Sequence, residues 1–370
     1  MSIRSSSLES LPWARRFRLF CARLFERMLM KRAIDRIAMV MGGHIFFVTL
    51  AAAARCQLFG LLHRMGPMGE VDVARHLGFQ LQPARILLLG CTAMGLIKRD
   101  RSGLYSLTYL SKRLLIPEEP QNLLPIIDWQ YLINYKALYD FPEALKAGDN
   151  VGLNVFPGDE PTLYERLVRQ PELEGVFQKA MESISMQSNH MLAEYLDFSN
   201  VRLLVDVGGG NGTNIIRLAK RHPSLNAVVF DSPSVCRIAE ENFVRNSLSG
   251  RLSSHPGNCF TDPFPRDADA ILFCHFFTIW SAEKNRELLS KAYAALQPGG
   301  AVIVFNMMQD DDRSGPLTAA MGSPYFLTLA TGEGMLYTWG EYESWMRDAG
   351  FSRVVRRKFV RNHGAIIGIR

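Results

Sequence analysis

The sequence predicts an α/β fold in which residues 201–370 form a doubly wound, mainly parallel sheet behind a mostly helical N-terminal region. Three observations predict it. From Val201 onward, apolar runs at Leu203–Val207, Ala227–Phe230, Ala270–Cys274 and Ala301–Phe305 alternate with helical stretches, as in strands buried on both faces by crossover helices. Before residue 200, apolar residues recur at helical spacing with a single short hairpin between them. A glycine cluster, Gly208-Gly209-Gly210-Asn-Gly212, sits where the first strand gives way to a helix near Asn214.

Composition narrows the class. The chain has 370 residues, 48% hydrophobic and 21% charged, which excludes disordered, collagenous and disulfide-scaffold proteins. Its cysteines, at 21, 56, 91, 236, 259 and 274, form no C-x-x-C pair, so reduced thiols and a cytoplasmic location are expected. The net charge of +6 is uneven. Residues 1–40 hold nine Lys/Arg against Glu9, Glu26 and Asp35, and residues 353–370 hold six cations and no acid. The stretch between is therefore acidic, which speaks against nucleic acid as a partner.

Taken in order, Ala14–Met30 carries Phe17, Phe20, Leu24 and Met28 at helical spacing among arginines, an amphipathic basic helix suited to a partner subunit or an anionic membrane. Ile37–Ala54 lacks charge over a length at the lower limit for a membrane span, and Gly42, Gly43, His44 and Thr49 dilute it. It reads as a buried helix of a dimer, with a membrane-contacting helix as the alternative. It also lies too far in, behind too much charge, for a signal peptide. Helices at Val71–Leu77 and Pro83–Met94 followed by a hairpin over Gly95–Leu107 make a winged-helix pattern, whose mixed charges Lys98, Arg99, Asp100 and Arg101 argue against DNA. Residues 126–200 read as a second helical region. It has a loop at Gly148–Pro161 and a helix from about Thr162 to Leu196 broken at Pro171. Val354–Val360 and Ala365–Ile369 read as a closing antiparallel hairpin. The expected divisions are 1–40, a basic helical extension; 41–200, the helical and winged-helix domain; and 201–370, the sheet domain.

The chemistry lies in Asp206-Val-Gly208-Gly-Gly210-Asn-Gly212, followed 25 residues after Asp206 by Asp231 at the end of the second strand. Glycines at such a turn let backbone approach a ligand, and an acid at the next strand end can accept both hydroxyls of a ribose. The dinucleotide spacing G-x-G-x-x-G fails at Thr213, and the P-loop Lys-Ser/Thr is absent. Asp206 would repel phosphate, so the pattern suits a nucleoside whose other half is cationic, the form of S-adenosyl-L-methionine.

On Val205–Gly212, Phe230-Asp231-Ser-Pro233, Gly257-Asn-Cys-Phe260, Ala268–Leu272, Leu296–Gly300 and Tyr337–Phe351, with Gly66-Pro67 and Leu104–Leu110 in the helical part, the chain resembles the two-domain small-molecule O-methyltransferases of bacteria and plants. The resemblance covers about residues 40–370. It implies a Rossmann-like methyltransferase sheet, an N-terminal dimerisation and winged-helix domain, a homodimer, and S-adenosyl-L-methionine as cofactor. It further implies that Gly208, Gly210 and Gly212 hold the methionine end, with Asp206 and Cys274 beside it. Asp231 would hold the ribose, and Asn258 and Cys259 would lie by the adenine. No metal is implied.

The departures are informative. The family carries a catalytic His before Asp/Asn-Trp; here that motif reads Thr278-Ile279-Trp280, and Thr278 is no base near pH 7. The two glutamates that flank that His are Asn306 and Leu336, and a common Lys or Arg is Cys274. A sulfonium methyl is already activated, so proximity can drive transfer to a carbon, nitrogen or acidic-oxygen acceptor. The bacteriochlorophyllide methyltransferases, which methylate ring carbon, share the Phe-Cys and lack the His. The candidate catalytic residues are His275, Thr278 and Tyr337. Trp129, Met181, His190, Phe277, Met307, Phe326 and Met335 are candidates for a flat apolar substrate, such as an aromatic or polyketide- or peptide-derived secondary metabolite. The alternatives are a catalyst that keeps the cofactor but performs a rearrangement or cyclisation, and a DNA- or membrane-binding module.

Overall fold

The computed structural model describes residues 13–370, which fall into two compact units that meet in sequence at Leu124 and Pro125. The expected change at 200/201 thus lies inside the second unit, because the helices of 125–200 pack with the sheet. Residues 1–12 of the expected basic extension lie outside the described residues. So do the side chains of 14–16 and 25–32, Met28 included.

In the first unit, helices Trp13–Met41 and Gly43–Arg55 meet at a 64° bend, because consecutive glycines at 42 and 43 make helix continuation costly. The uncharged stretch 37–54 is therefore not one helix, and no single helix among the described residues is long and apolar enough to cross a membrane. Nor is it buried throughout: Ile37, Met39, Val40, Met41 and Ile45 are exposed in the single chain, while Ala51 and Ala53 are buried. Helices Leu58–Met65, Glu70–Leu77 and Leu81–Ala93 lead to a hairpin of β1 (Ile97–Arg99) and β2 (Tyr105–Leu107), the expected winged-helix order. The turn is closed by the Asp100 carboxylate, which accepts from the Leu104 amide at 2.9 Å.

The second unit is built on a seven-stranded sheet of β3 (Leu203–Val207), β4 (Asn226–Asp231), β5 (Leu252–Pro256), β6 (Ala268–Cys274), β7 (Leu296–Met307), β8 (Arg353–Lys358) and β9 (His363–Ile369). The order is β5-β4-β3-β6-β7-β9-β8, with β9 antiparallel to both neighbours. The closing hairpin therefore inserts its second strand into the sheet and leaves basic β8 at the edge. β5 was not anticipated, since Ser253, Ser254 and His255 break any apolar run on an edge strand. The strand order reverses between β3 and β6, which places a crevice at their carboxyl ends.

Two cores cover the faces. One holds Val205, Val207, Phe273 and Phe277 under helices Ala282–Ala295 and Trp339–Asp348; the other holds Leu204, Leu272 and Phe305 under Thr213–Arg221 and Pro233–Arg245. A third cluster joins Trp129, Ile133, Phe177, Tyr325 and Leu329 from helices before and after the sheet. The expected helix over Thr162–Leu196 is three pieces, Leu163–Leu167, Pro171–Ser188 and His190–Tyr195, with Pro171 in the first turn of the second, where its missing N–H is harmless.

Phe277 is fully buried with its ring 4.5 Å from that of Phe273. Truncation to alanine removes about 3–5 kcal/mol, whereas exposed Val168→Ala changes stability by less than about 0.5 kcal/mol. Chemical denaturation of the two variants against the parent checks both.

Candidate functional site

The glycine loop leaves β3 with positive φ at Gly208 (+70), Gly210 (+58) and Gly212 (+79), as glycine alone readily permits. The three have different reasons. A side chain at Gly208 would collide with the ring of Phe276, and one at Gly212 would meet Phe243 at 2.5 Å. Gly210 faces open space, so it is the position where backbone stays accessible to a ligand. Its amide donates to the Asp231 carboxylate at 3.0 Å, and the Ser232 amide donates to the other oxygen at 2.7 Å. Asp231 is thereby fixed at the end of β4, half-buried, with lone pairs left over for a diol; burial pushes its carboxyl up.

Asp206 is fully buried and neither oxygen meets a hydrogen-bond partner of good geometry among the described residues. Burial pushes it up to about 7, Asp231 adds to the rise, and the nearby Asn214 amide opposes it. Asn214 accepts from the Asn189 amide at 2.5 Å. The Ser188 hydroxyl donates to the Asn189 side-chain oxygen Oδ1 at 2.8 Å and lies 3.2 Å from Nε2 of His275. A polar line thus runs from the cofactor loop to the end of β6.

His275 adopts φ +53, its amide donates to the Phe305 carbonyl at 2.8 Å, and its ring stands edge-on to Phe305 and His363 at 5.2 and 5.3 Å. Burial, aided by His363, pushes the imidazole down to about 3. It is neutral at pH 7 and holds a proton poorly, so it is weak as a general base. Thr278 is buried in a short 3₁₀ turn, Phe277–Ile279, that the segment 331–337 wraps. The Thr331 hydroxyl donates to Ile279 at 2.5 Å and the Tyr337 hydroxyl to Trp280 at 2.6 Å. Tyr337 packs on Trp345 and Tyr342, its hydroxyl raised by burial and committed to the turn: it positions the turn. Asn306 donates to the Tyr342 hydroxyl at 3.2 Å, and Leu336 is buried.

Asn258 is exposed and spends its side-chain oxygen on the Phe260 amide at 2.9 Å; Cys259 is half-buried, with its thiol pushed up to about 11 by burial. Phe260 and Trp280 meet edge to face at 4.8 Å, and the buried Trp280 Nε1 has no partner among the described residues. Cys274 lies on the strand beside Asp206, its thiol pushed well up by burial.

Of the candidate substrate residues, the structure brings Trp129, Met181 and Phe326 into one cluster, and Phe277 and Met335 into the core that carries Phe276 and Trp280. Met307 ends β7 opposite His363. His190 lies 4.0 Å from Glu194 along an open groove with Arg217 and Lys220, close enough to His363 to act on it electrostatically. Ser188, Asn189 and Asn214 carry no sequence signal, being single polar residues on helices.

An open glycine crest, a fixed ribose-type carboxylate, a buried acid without a counter-ion and an unpartnered indole N–H fit S-adenosyl-L-methionine. Comparison with known proteins agrees. Residues 144–352 match an O-methyltransferase domain and residues 39–117 an O-methyltransferase dimerisation domain. The chain is 36% identical to L-tyrosine C(3)-methyltransferase of Streptomyces lavendulae over 86% of this chain and 87% of that one. It is 32% identical to 3-hydroxy-5-methyl-1-naphthoate 3-O-methyltransferase of Streptomyces sahachiroi, covering 87% and 91%. Among solved structures, the S-adenosylmethionine-dependent methyltransferase SibL superposes with TM-score 0.80 at 38% identity, covering 91% and 99%. Human N-acetylserotonin methyltransferase with its cofactor gives 0.81 at 25% identity, covering 91% and 97%.

Two outcomes follow. A carboxyl titrating near 7 in the folded chain and about 3.9 unfolded keeps its proton on folding, so rising pH across 4–7 favours unfolding by about 1.4 kcal/mol per unit. Asp206→Asn flattens that part of the melting-temperature profile; an unchanged slope counts against the assignment. Gly210→Ala adopts φ +58 for about 1–2 kcal/mol and loses about tenfold or more in cofactor affinity. Gly208→Ala instead loses stability through Phe276, and calorimetry beside thermal melts separates the two.

Proposed function

The chain belongs to the S-adenosyl-L-methionine-dependent small-molecule methyltransferases that join a dimerisation domain to an O-methyltransferase domain, and we propose that it methylates an electron-rich ring carbon of a small aromatic secondary metabolite. The observation that carries this reading is the turn at Thr278. No group there takes a proton near pH 7: a threonine stands for the histidine, and an amide and a leucine stand for the carboxylates. A carbon nucleophile made electron-rich by its ring needs no deprotonation before attack, unlike a plain phenol oxygen. The likeness to a tyrosine C-methyltransferase supports the same choice.

Asp231 would hold the nucleoside end and the open backbone at Gly210 would lie against the methionine end, with Asp206 behind the loop. Bound there, S-adenosyl-L-methionine would supply a sulfonium methyl to the ring carbon, with the electron pair returning to sulfur and the ring proton passing to water. Phe276 and Trp280 pack on the core beside the turn, and Tyr337 and Thr331 fix the turn that carries Thr278. Holding acceptor and methyl in line about 3 Å apart supplies much of the rate. A homodimer formed through residues 39–117 belongs to the same reading, and the exposed Ile37–Met41 face offers it apolar surface.

Incubation with labelled cofactor and L-tyrosine, p-cresol or 1-naphthol, read by S-adenosylhomocysteine release and proton NMR, tests it. The expected product has lost one ring proton and kept a free hydroxyl. An O-methyl product would shift the reading to an acidic oxygen, and turnover without cofactor consumption would favour rearrangement. Thr278→Ala retains kcat within about threefold, whereas loss of about 100-fold would make the hydroxyl catalytic.

A further inference from the structure

The first part of the N-terminal helix, residues 13–24, lies ahead of both methyltransferase matches, the earlier of which begins at residue 39. Within it Trp13, Phe17, Phe20 and Leu24 recur at the spacing that lines one side of a helix, and Trp13 stacks on Phe17 at 5.7 Å. They are 79%, 55%, 62% and 50% exposed in the single chain. Apolar residues scattered singly over a surface are ordinary, but a continuous stripe of three aromatic rings and a leucine marks a contact surface.

Charge selects the partner. Residues 13–24 contain four arginines, at 15, 16, 18 and 23, and no acid, and none of the four falls at a stripe position. A second copy of the chain brings the same four arginines, so stripes packed face to face would gather like charges around the contact. An anionic surface neutralises them instead, and each cation near such a surface strengthens attraction roughly fivefold. Nucleic acid would also meet the cations, but it would leave the stripe in water.

The stripe is also separate from the apolar face that adjoins the dimerisation match. Ile34, Ile37 and Met41 are exposed in the single chain and recur at helical spacing roughly a quarter turn round from the stripe. They run directly into the residues matched from 39, so that face has a second copy as its natural partner and the stripe does not. A basic helix with aromatic residues along one side lies in a membrane interface rather than across it. Consistently, no single helix among the described residues is long and apolar enough to cross a membrane.

We propose that residues 13–24 dock the chain on an anionic phospholipid surface, lying in its plane with Trp13, Phe17, Phe20 and Leu24 at the acyl boundary and Arg18 and Arg23 among the headgroups. This anchor is independent of which atom of the acceptor is methylated.

The test uses the full-length chain, sedimented with vesicles of phosphatidylcholine alone and of phosphatidylcholine and phosphatidylglycerol in equal parts. The parent chain binds the anionic vesicles about tenfold or more tighter than the neutral ones. Phe17→Ser with Phe20→Ser, and separately Arg18→Glu with Arg23→Glu, each lower that affinity about tenfold or more. All four side chains are exposed, so melting temperature and particle mass by light scattering stay at the parent values. The anchor is overturned if the parent binds neither vesicle or both equally, or if either pair keeps the parent affinity. Retention by the phenylalanine pair alone would reduce the helix to a polyanion contact. A fall in particle mass in that pair would place the stripe between copies of the chain and overturn the anchor as well.

Discussion

The crevice depends on one close contact, the ring of Phe276 lying over the backbone of Gly208. Because residue 208 has no side chain, the chain leaving β6 can cross directly against the loop leaving β3 at the point where strand order reverses. Just before that crossing His275 adopts positive φ, and just after it Thr278 falls in a buried 3₁₀ turn. Everything that afterwards secures the turn is hydrogen-bonded to its carbonyls: Asn285 to Phe277 and Trp280, Thr331 to Ile279, Tyr337 to Trp280. A substituent at 208 would displace the turn, and with it the wall between cofactor loop and acceptor side.

The turn is therefore retained as architecture although the base it carries in the resembling enzymes is gone. Loss of a histidine alone would leave two carboxylates buried without purpose, at a cost of several kcal/mol each in desolvation. In this chain the companion positions are an amide bonded to Tyr342 and a leucine, both compatible with burial. The three changes are thus physically consistent with one another.

Much of the scaffold was legible because its signals are periodic or stereochemical. β3 appears in the structure with the limits read from its apolar run, and the helix after Gly212 starts one residue from the expected place. The place of Asp231 was legible because it closes an apolar run 25 residues beyond Asp206, and the structure has it at the end of β4. β5 was not, since an edge strand needs only one buried residue, Leu252, in Leu-Ser-Ser-His-Pro. The bend at Gly42 was hidden by composition: charge-free residues on both sides read as one helix, although two adjacent glycines were in view. Ser188, Asn189 and Asn214 were illegible for another reason. A lone polar residue in a helical run looks the same whether it bonds its own backbone or a distant element, and only three-dimensional placement separates the cases.

The cations of the C-terminal stretch resolve in part into local pairing. Arg356 on β8 binds Glu343 and Asp311, and Arg370 bonds the Leu296 carbonyl, so the C-terminal cations are in part consumed by the sheet edge they flank. Near the crevice the balance is reversed: the buried Asp206 has no cation, because Cys274 stands on the neighbouring strand where the resembling family places a lysine or arginine. A side-chain cation there would compete with the cofactor for the acid's field. With a thiol in its place, the positive charge that stabilises an ionised Asp206 must come from the ligand. Burial holds that carboxyl up to about 7, so a cation brought beside it by the cofactor would favour its ionised form.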